Sequence, residues 1–306
     1  VHTVKTGGGL LGDVVDDARQ LLSDFGLPPE TPIPMLDPET ELSFMTVGAS
    51  NVHAFVGLNG PYWKDADGDG VIDRDPDTGK ILAAEVNPEA VGLVIDDFDF
   101  GLAIMAPTNP LDPGRYFALR ASAEMVSLEG IEGVVLEAET LLVEVNQSRP
   151  SVYGVSLFPV VDFAASFPAE TDGGDGVFDP EDDVDGDGKQ DPAGFEVATG
   201  GEPVYLAMDS SLVRAQGFVQ LDLFGSVILT GDVAFELGPT QNVVLTDGSP
   251  RHVTTMTIGA ANVSAFVGAN GPYWTDLDGD HAVSWCDAAG DPLPTADADS
   301  NGDGLV

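Results

Sequence analysis

Cysteine is almost absent: Cys286 is the only one in 306 residues, so no disulfide can form within the chain. Positive charge is nearly as scarce, with 11 Lys and Arg against 52 Asp and Glu and a formal net charge of −41. Such a surface repels phosphates, which argues against a nucleic-acid partner and against an anionic membrane surface. No apolar run reaches the roughly 18 residues that a spanning helix needs, so membrane insertion is not expected. The four histidines, His2, His53, His252 and His281, show no zinc spacing. Nucleophile-elbow, P-loop and dinucleotide-binding motifs are all missing, and an enzyme is not expected. The abundance of Asp and Glu leaves paired carboxylates of the glycosidase kind open.

What is present is a chain able to bury a core. Hydrophobic residues make up 43%, in alternating Val, Leu and Phe, so this is not a disordered acidic tail. Charge of this size strains a compact state unless cations offset it. A disulfide-free acidic chain of this kind points to metal as the staple.

Twenty-five residues occur twice. Met45 to Asp69 and Met256 to Asp280 are identical at 19 of 25 positions, at a fixed offset of 211. The period is far longer than the 20 to 50 residues of short solenoid repeats. The expectation is one full module and the opening of the next, in an array that continues in register past Val306. A weaker likeness joins Leu119–Glu139 to Val213–Asp232 and reads as a duplicated half-module.

Leu10, Leu11, Val14, Val15, Ala18, Leu21, Leu22 and Phe25 recur at helical spacing and predict one amphipathic helix, ended by Gly26 and Pro28-Pro29. Residues 27–40 hold five prolines and read as a linker or strap. From about residue 42 the period becomes two: Leu141, Val143 and Val145, then Val219, Leu221 and Leu223, then Val233, Phe235 and Leu237 predict short strands. Asn59-Gly60-Pro61 and Thr246-Asp247-Gly248 predict turns. The fold expected is mainly β: elongated tandem β-modules, solenoid-like or sandwich-like, with one short N-terminal helix. The divisions expected are 1–44 (helix plus linker), 45–255 (full module) and 256–306 (start of the next).

Each copy of the repeated segment runs into an aspartate-rich loop. Asp65, Asp67, Asp69, Gly70 and Asp73 fit the calcium-loop pattern D-x-D-x-D-G-x-x-D, with Val71 offering a carbonyl at position seven. The spacing turns alternate carboxylates onto one ion, and glycine takes the left-handed conformation needed at position six. Position twelve is Pro76, so Asp75 or Asp77 is expected to substitute. A second loop holds Asp183, Asp185, Asp187 and Asp191, preceded by Asp172, Asp175 and Asp179. A third holds Asp276, Asp278, Asp280 and Asp287 but has His281 where glycine belongs. A fourth begins with Asp299, Asn301 and Asp303 and stops at position eight. Solvated Asp-Gly turns explain the glycines but not the one-three-five spacing of acids, so Ca2+ is the cofactor expected.

These loops resemble those of dockerins, thrombospondin type-3 repeats and EF-hands. The acid-rich, cysteine-poor architecture resembles the tandem modules of very large secreted or surface proteins of aquatic bacteria, the calcium-dependent adhesins. The G-G-x-G-x-D nonapeptides of RTX β-rolls are not among its motifs. The resemblance implies an extracellular or cell-surface location and partners that are neighbouring copies of the same protein, or surface glycans. The function expected is a calcium-binding structural module for extension, adhesion or fibre assembly. Two other readings stand beside it: a calcium-dependent carbohydrate-binding module using Tyr62-Trp63 and Tyr273-Trp274, and a calcium-stabilised polysaccharide hydrolase.

Overall fold

The computed structural model describes residues 1–7, 39–68, 72–74, 81–110, 112, 114–149, 151–152, 155–156, 159–171 and 189–269. The predicted helix over residues 10–25 and most of the proline-rich segment lie outside these. Among the described residues thirteen strands run in chain order: β1 (His2–Gly7), β2 (Glu39–Leu58), β3 (Val91–Pro107), β4 (Arg115–Glu129), β5 (Val134–Arg149), β6 (Ser151–Val152), β7 (Val155–Ser156), β8 (Val160–Asp162), β9 (Phe195–Val197), β10 (Val204–Leu206), β11 (Leu212–Leu223), β12 (Val227–Val244) and β13 (Pro250–Val267). A four-residue helix, α1 (Phe163–Ser166), follows β8, and a single 3-10 turn covers Ala83–Glu85. The protein is mainly β.

Nine strands form one sheet in the order β13-β12-β11-β5-β4-β3-β2-β1-β8, each antiparallel to its neighbours. The alternating segments are therefore strands, as the period of two predicts. They are not short: β2 has 20 residues and β12 and β13 have 18 each. Long strands survive their internal glycines because bulges take up the irregularity. Asn51, Asp97, Thr140 and Asn262 have φ of 52°, 48°, 51° and 51°. Asn51 and Asn262 sit in the register shifts of β2 against β3 and of β13 against β12. Strands β1 and the first residues of β2 occupy parts of the segment read as helix and linker, and β2 and β13 each run across a predicted module boundary.

One half of the sheet is covered and the other is not. β8, α1 and the β9–β10 hairpin lie over the β1–β4 half and bury Val4, Leu42, Met105, Val161, Phe163 and Leu206 to 1% exposure or less. Full burial of side chains of this size contributes about 1.5–3 kcal/mol each. Gly48 and Gly101, opposite each other in β2 and β3, let the hairpin close in. A side chain on Gly48 would strike Ala198 O, and one on Gly101 would meet Val204 and Val197 at 3.0–3.1 Å. Beyond β5, where Leu212 and Ile228 are still buried, many apolar side chains stay open to solvent: Leu229, Val233, Met256, Ile258 and Val267 are 39–81% exposed.

A row of charge crosses this sheet. Arg120 on β4, Glu144 on β5, Arg214 on β11 and Glu236 on β12 stand directly opposite one another in register. Arg120 Nη1 donates to Glu144 Oε1 at 3.0 Å, Arg214 Nη1 to Glu144 Oε2 at 3.1 Å and Arg214 Nε to Glu236 Oε2 at 2.7 Å. The hydrogen bond to Glu236 leads the causes that raise the pKa of Arg214. Arg120 and Arg214 are equivalent positions of the two similar half-module segments, and both clasp the carboxylate between them.

Candidate metal centre

The first aspartate loop leaves the end of β2 and returns to the start of β3. Behind it lies a second apolar cluster of Tyr62, Ala90 and Val94, with Phe55, Trp63, Val86 and Met125 packed against it. Tyr62 is 7% exposed, and burial, followed by the nearby carboxylates of Glu129, Asp96 and Glu137, pushes its hydroxyl up to about 12. Trp63 meets Tyr62 edge-on at 5.4 Å and His53 at 5.6 Å, and its Nε1 is buried. Tyr62 is therefore part of this cluster with Trp63 packed half-buried against it, and Tyr62 offers solvent almost no ring face on which a sugar could stack.

The loop is closed at its neck by two isolated bridges, Trp63 with Val86 and Arg74 with Ile81, and by Leu82 N–H donating to Asp73 O at 3.0 Å. Arg74 reaches into the sheet. Its Nη2 donates to Asp96 Oδ2 at 2.5 Å, and His53 Nδ1 lies 2.5 Å from Asp96 Oδ1. Asp96 is 1% exposed, whereas the side chains of His53 and Arg74 that meet it are each 30% exposed, so the buried carboxylate is held by two partners that reach out to solvent.

Asp65, Asp67 and Asp73 are the predicted ligands of this loop that fall among the described residues; Asp69, Val71, Asp75 and Asp77 lie outside them. Asp65 Oδ1 accepts from Gly68 N–H at 2.6 Å, which bends the loop's first turn inward. Gly68 has φ of +79°. Glu85, which the loop pattern does not single out, enters here. It is 3% exposed, and both its carboxylate oxygens lie 3.2 Å from Ala66 N–H. Its signal in the sequence is weak, because it lies outside the twelve-residue window in which ligands are sought. The 3-10 turn brings it back to the loop's start, where Lys64 N–H also donates to Glu85 O at 2.6 Å.

Of the second loop, Asp191 is described; Asp183, Asp185 and Asp187 lie outside, with Asp172, Asp175 and Asp179. Its neck is also tied. Glu170 N–H donates to Asp191 O at 3.0 Å, Asp191 N–H donates to Glu170 Oε2 at 3.1 Å, and Tyr205 hydroxyl donates to Asp191 Oδ1 at 2.7 Å. The third and fourth loops, with Asp276, Asp278, Asp280, Asp287, Asp299, Asn301 and Asp303, lie wholly outside the described residues. Among the described residues, no three His, Cys, Asp or Glu side chains are grouped so that they could hold a metal ion. What those residues show is two tied necks and one buried carboxylate turned into the first loop. Oxygen donors of this kind suit a hard divalent cation such as calcium. Among the described residues no helix is long and apolar enough to cross a membrane.

Comparison with known proteins gave no match: no family model, no curated protein and no solved structure is similar to the chain.

Proposed function

We propose that the protein is a calcium-binding structural module of a long extracellular or cell-surface repeat protein, serving extension, adhesion or fibre assembly. The observation that carries this reading is the first loop: acids at one-three-five spacing, a neck tied at both sides, and Glu85 buried against Ala66 N–H. A carboxylate buried this deeply is expensive to keep without a counter-charge. Asp65, Asp67, Asp69 and Asp73 with the Val71 carbonyl would hold the ion, and Glu85 would stand in for the acid that Pro76 displaces from position twelve. Bound calcium supplies the positive charge that gathers these carboxylates; the chain's own part is to hold the loop closed. With one cysteine and a net charge of −41, the fold depends on such ions for cohesion.

The test is a pair of thermal melts, one in millimolar calcium and one in chelator. Binding to the folded state alone adds about 2.7 kcal/mol per site at a hundredfold excess over Kd. Sites of extracellular modules bind at roughly 10⁻⁴ to 10⁻³ M, so millimolar calcium should raise Tm by many degrees. Glu85→Gln should remove part of that rise. Equal melting temperatures in calcium and chelator would refute the calcium reading.

A further inference from the structure

The two copies of the repeated segment have different neighbours. β2 carries the first copy and is flanked on one edge by β3, from Leu42 opposite Pro107 to Leu58 opposite Val91. On its other edge β1 reaches residues Glu39 to Leu42. β13 carries the second copy and has β12 on one edge; among the described residues no strand pairs with its other edge.

The registers show which edge is which. β1 places Lys5, Val4, Thr3 and His2 opposite Glu39, Thr40, Glu41 and Leu42. The end of β12 places Val244, Val243, Asn242 and Gln241 opposite Pro250, Arg251, His252 and Val253. Those are the same four places once the offset of 211 is applied, and the run is antiparallel in both. β13 and β2 run in the same direction, six antiparallel steps apart, and the register carries Gly48 across to Thr257 on one face. β12 and β1 lie on the same side of them, so β1 holds on β2 the position that the end of β12 holds on β13. The open edge of β13 therefore corresponds to the edge of β2 that β3 fills.

The side chains and backbone of β13 match a strand whose neighbour is missing. A Cβ on Gly57 would run into Val91 O and come within 2.7 Å of Gly92 Cα on β3; the nearest atom to one on Gly268 is the Phe266 ring at 2.8 Å. Gly48 is pressed by Ala198, whereas a Cβ on Gly259 has no atom within 4 Å. Met256, Ile258 and Val267 are 64%, 76% and 81% exposed against 58%, 49% and 70% for Met45, Val47 and Val56, and Val263 is 49% exposed where Val52 is half-buried. The bulge is already in place, with Asn262 at φ 51° beside 52° for Asn51. In β2 that bulge is tied to β3, where Asn51 N–H donates to Asp99 Oδ1 at 2.7 Å. Two contacts are not copied: Ser50, whose hydroxyl meets Thr199 Oγ1 at 3.0 Å, is Ala261 in the second copy, and His53, which pairs with Asp96 of β3, is Ser264.

We infer that the open edge of β13 is a docking edge for a strand of β3 type from a following copy of the repeat, paired so that Met256 faces the position of Ile104, Gly259 that of Gly101 and Phe266 that of Val94. This rests on the repeat-module reading above and deepens it: the joint between modules is an uninterrupted antiparallel sheet, with β12 of one copy and β3 of the next on the two sides of the shared strand. Each added repeat then contributes β2, β3, β4, β5, β11 and β12, and lengthens the sheet by about 29 Å at roughly 4.8 Å per strand.

The experiment uses the 306-residue chain in calcium with a synthetic peptide of residues 91–107, VGLVIDDFDFGLAIMAP, as the probe. The readout is hydrogen exchange at the amides of residues 256–267, with a scrambled peptide of the same composition as control. The expected result is exchange at least tenfold slower with the probe, no slowing with the scramble, and weaker protection by a probe carrying Asp99→Ala. Three results would overturn the inference: no slowing, equal slowing by the scramble, or protection that appears without peptide as protein concentration rises, which would mean that copies pair through their own open edges. A failure here leaves the calcium melts unaffected, so the two readings fail separately.

Discussion

β2 and β13 carry two copies of nearly the same sequence, with Val47, Ser50 and His53 replaced by Ile258, Ala261 and Ser264, and differ more in what surrounds it. In β2 the alternate residues are shielded by β3 at the edge and by the β9–β10 hairpin over the face, and Gly48, Ala49, Ser50 and Val52 are half-buried. In β13 the matching Gly259, Ala260, Ala261 and Val263 are exposed. Sequence therefore sets the local backbone, down to the positive φ of the bulge asparagine, while burial is set by the neighbours the sheet supplies. Strand character tracks fit to a pleated, half-buried surface more than an intrinsic backbone preference.

The strongest way to break that contrast is at Asp96, the β3 carboxylate that β2 reads through His53 and that has no counterpart beside Ser264. Asp96→Ala should lower stability by about 3 kcal/mol, because the charge-assisted hydrogen bonds that Arg74 and His53 make to it are both lost. His53→Ser, which writes the β13 residue into β2, should lose about 1 kcal/mol. Urea unfolding measures both, and a neutral Asp96→Ala would show that the second apolar cluster holds the loop without it.

Next in size is the glycine pair. Gly48→Val forces a side chain into Ala198 O and should lose about 2 kcal/mol. Gly259→Val meets open space and should stay within about 0.5 kcal/mol of the parent chain. Equal losses in denaturant midpoints would mean that the two strands are equally enclosed in solution.

The loops that follow the two copies extend the comparison. The first has Gly70 at position six and the third has His281. A non-glycine residue in the left-handed region gives up on the order of 1 kcal/mol, so Gly70→His should weaken the first site about fivefold and His281→Gly should tighten the third by as much. Calorimetric calcium titration reads both.

The smallest effect is with pH. Tyr62 and Tyr116 are each pushed up to about 12 from 10, in both cases chiefly by burial. The unfolded chain loses these protons near pH 10 while the folded chain keeps them, so their contribution is full below pH 10 and declines as pH rises toward 12. Tyr62→Phe should flatten that alkaline decline in a series of urea midpoints; an unchanged slope would place the decline on other groups.

Much of the strand content was legible. Leu141, Val143 and Val145 lie in β5, Val219 and Leu221 in β11, and Val233 and Phe235 in β12. Asn59-Gly60-Pro61 ends β2, and Thr246-Asp247-Gly248 turns β12 into β13. Strand length was not legible, because a glycine such as Gly48 or Gly57 reads as a break when it is in fact a place of close backbone approach. Nor was the partner of each face: alternation tells that one side is apolar, not whether a second layer covers it. In the candidate site, spacing picked out Asp65, Asp67 and Asp73, whereas Glu85 is brought in by the path of the chain between β2 and β3, which no local window contains.

The β12–β13 pair has a mechanical meaning. It runs without a gap longer than its two bulged steps from Val227 opposite Val267 to Val244 opposite Pro250, and the chain links the two strands at one end alone. A pull that slides β13 along its own axis past β12 loads every rung of this ladder together. A pull at right angles, from the end away from the turn, loads the rungs one after another. The same pair thus resists shear as a clamp and yields to lifting as a zipper, so direction of force decides whether the second copy stays on the sheet.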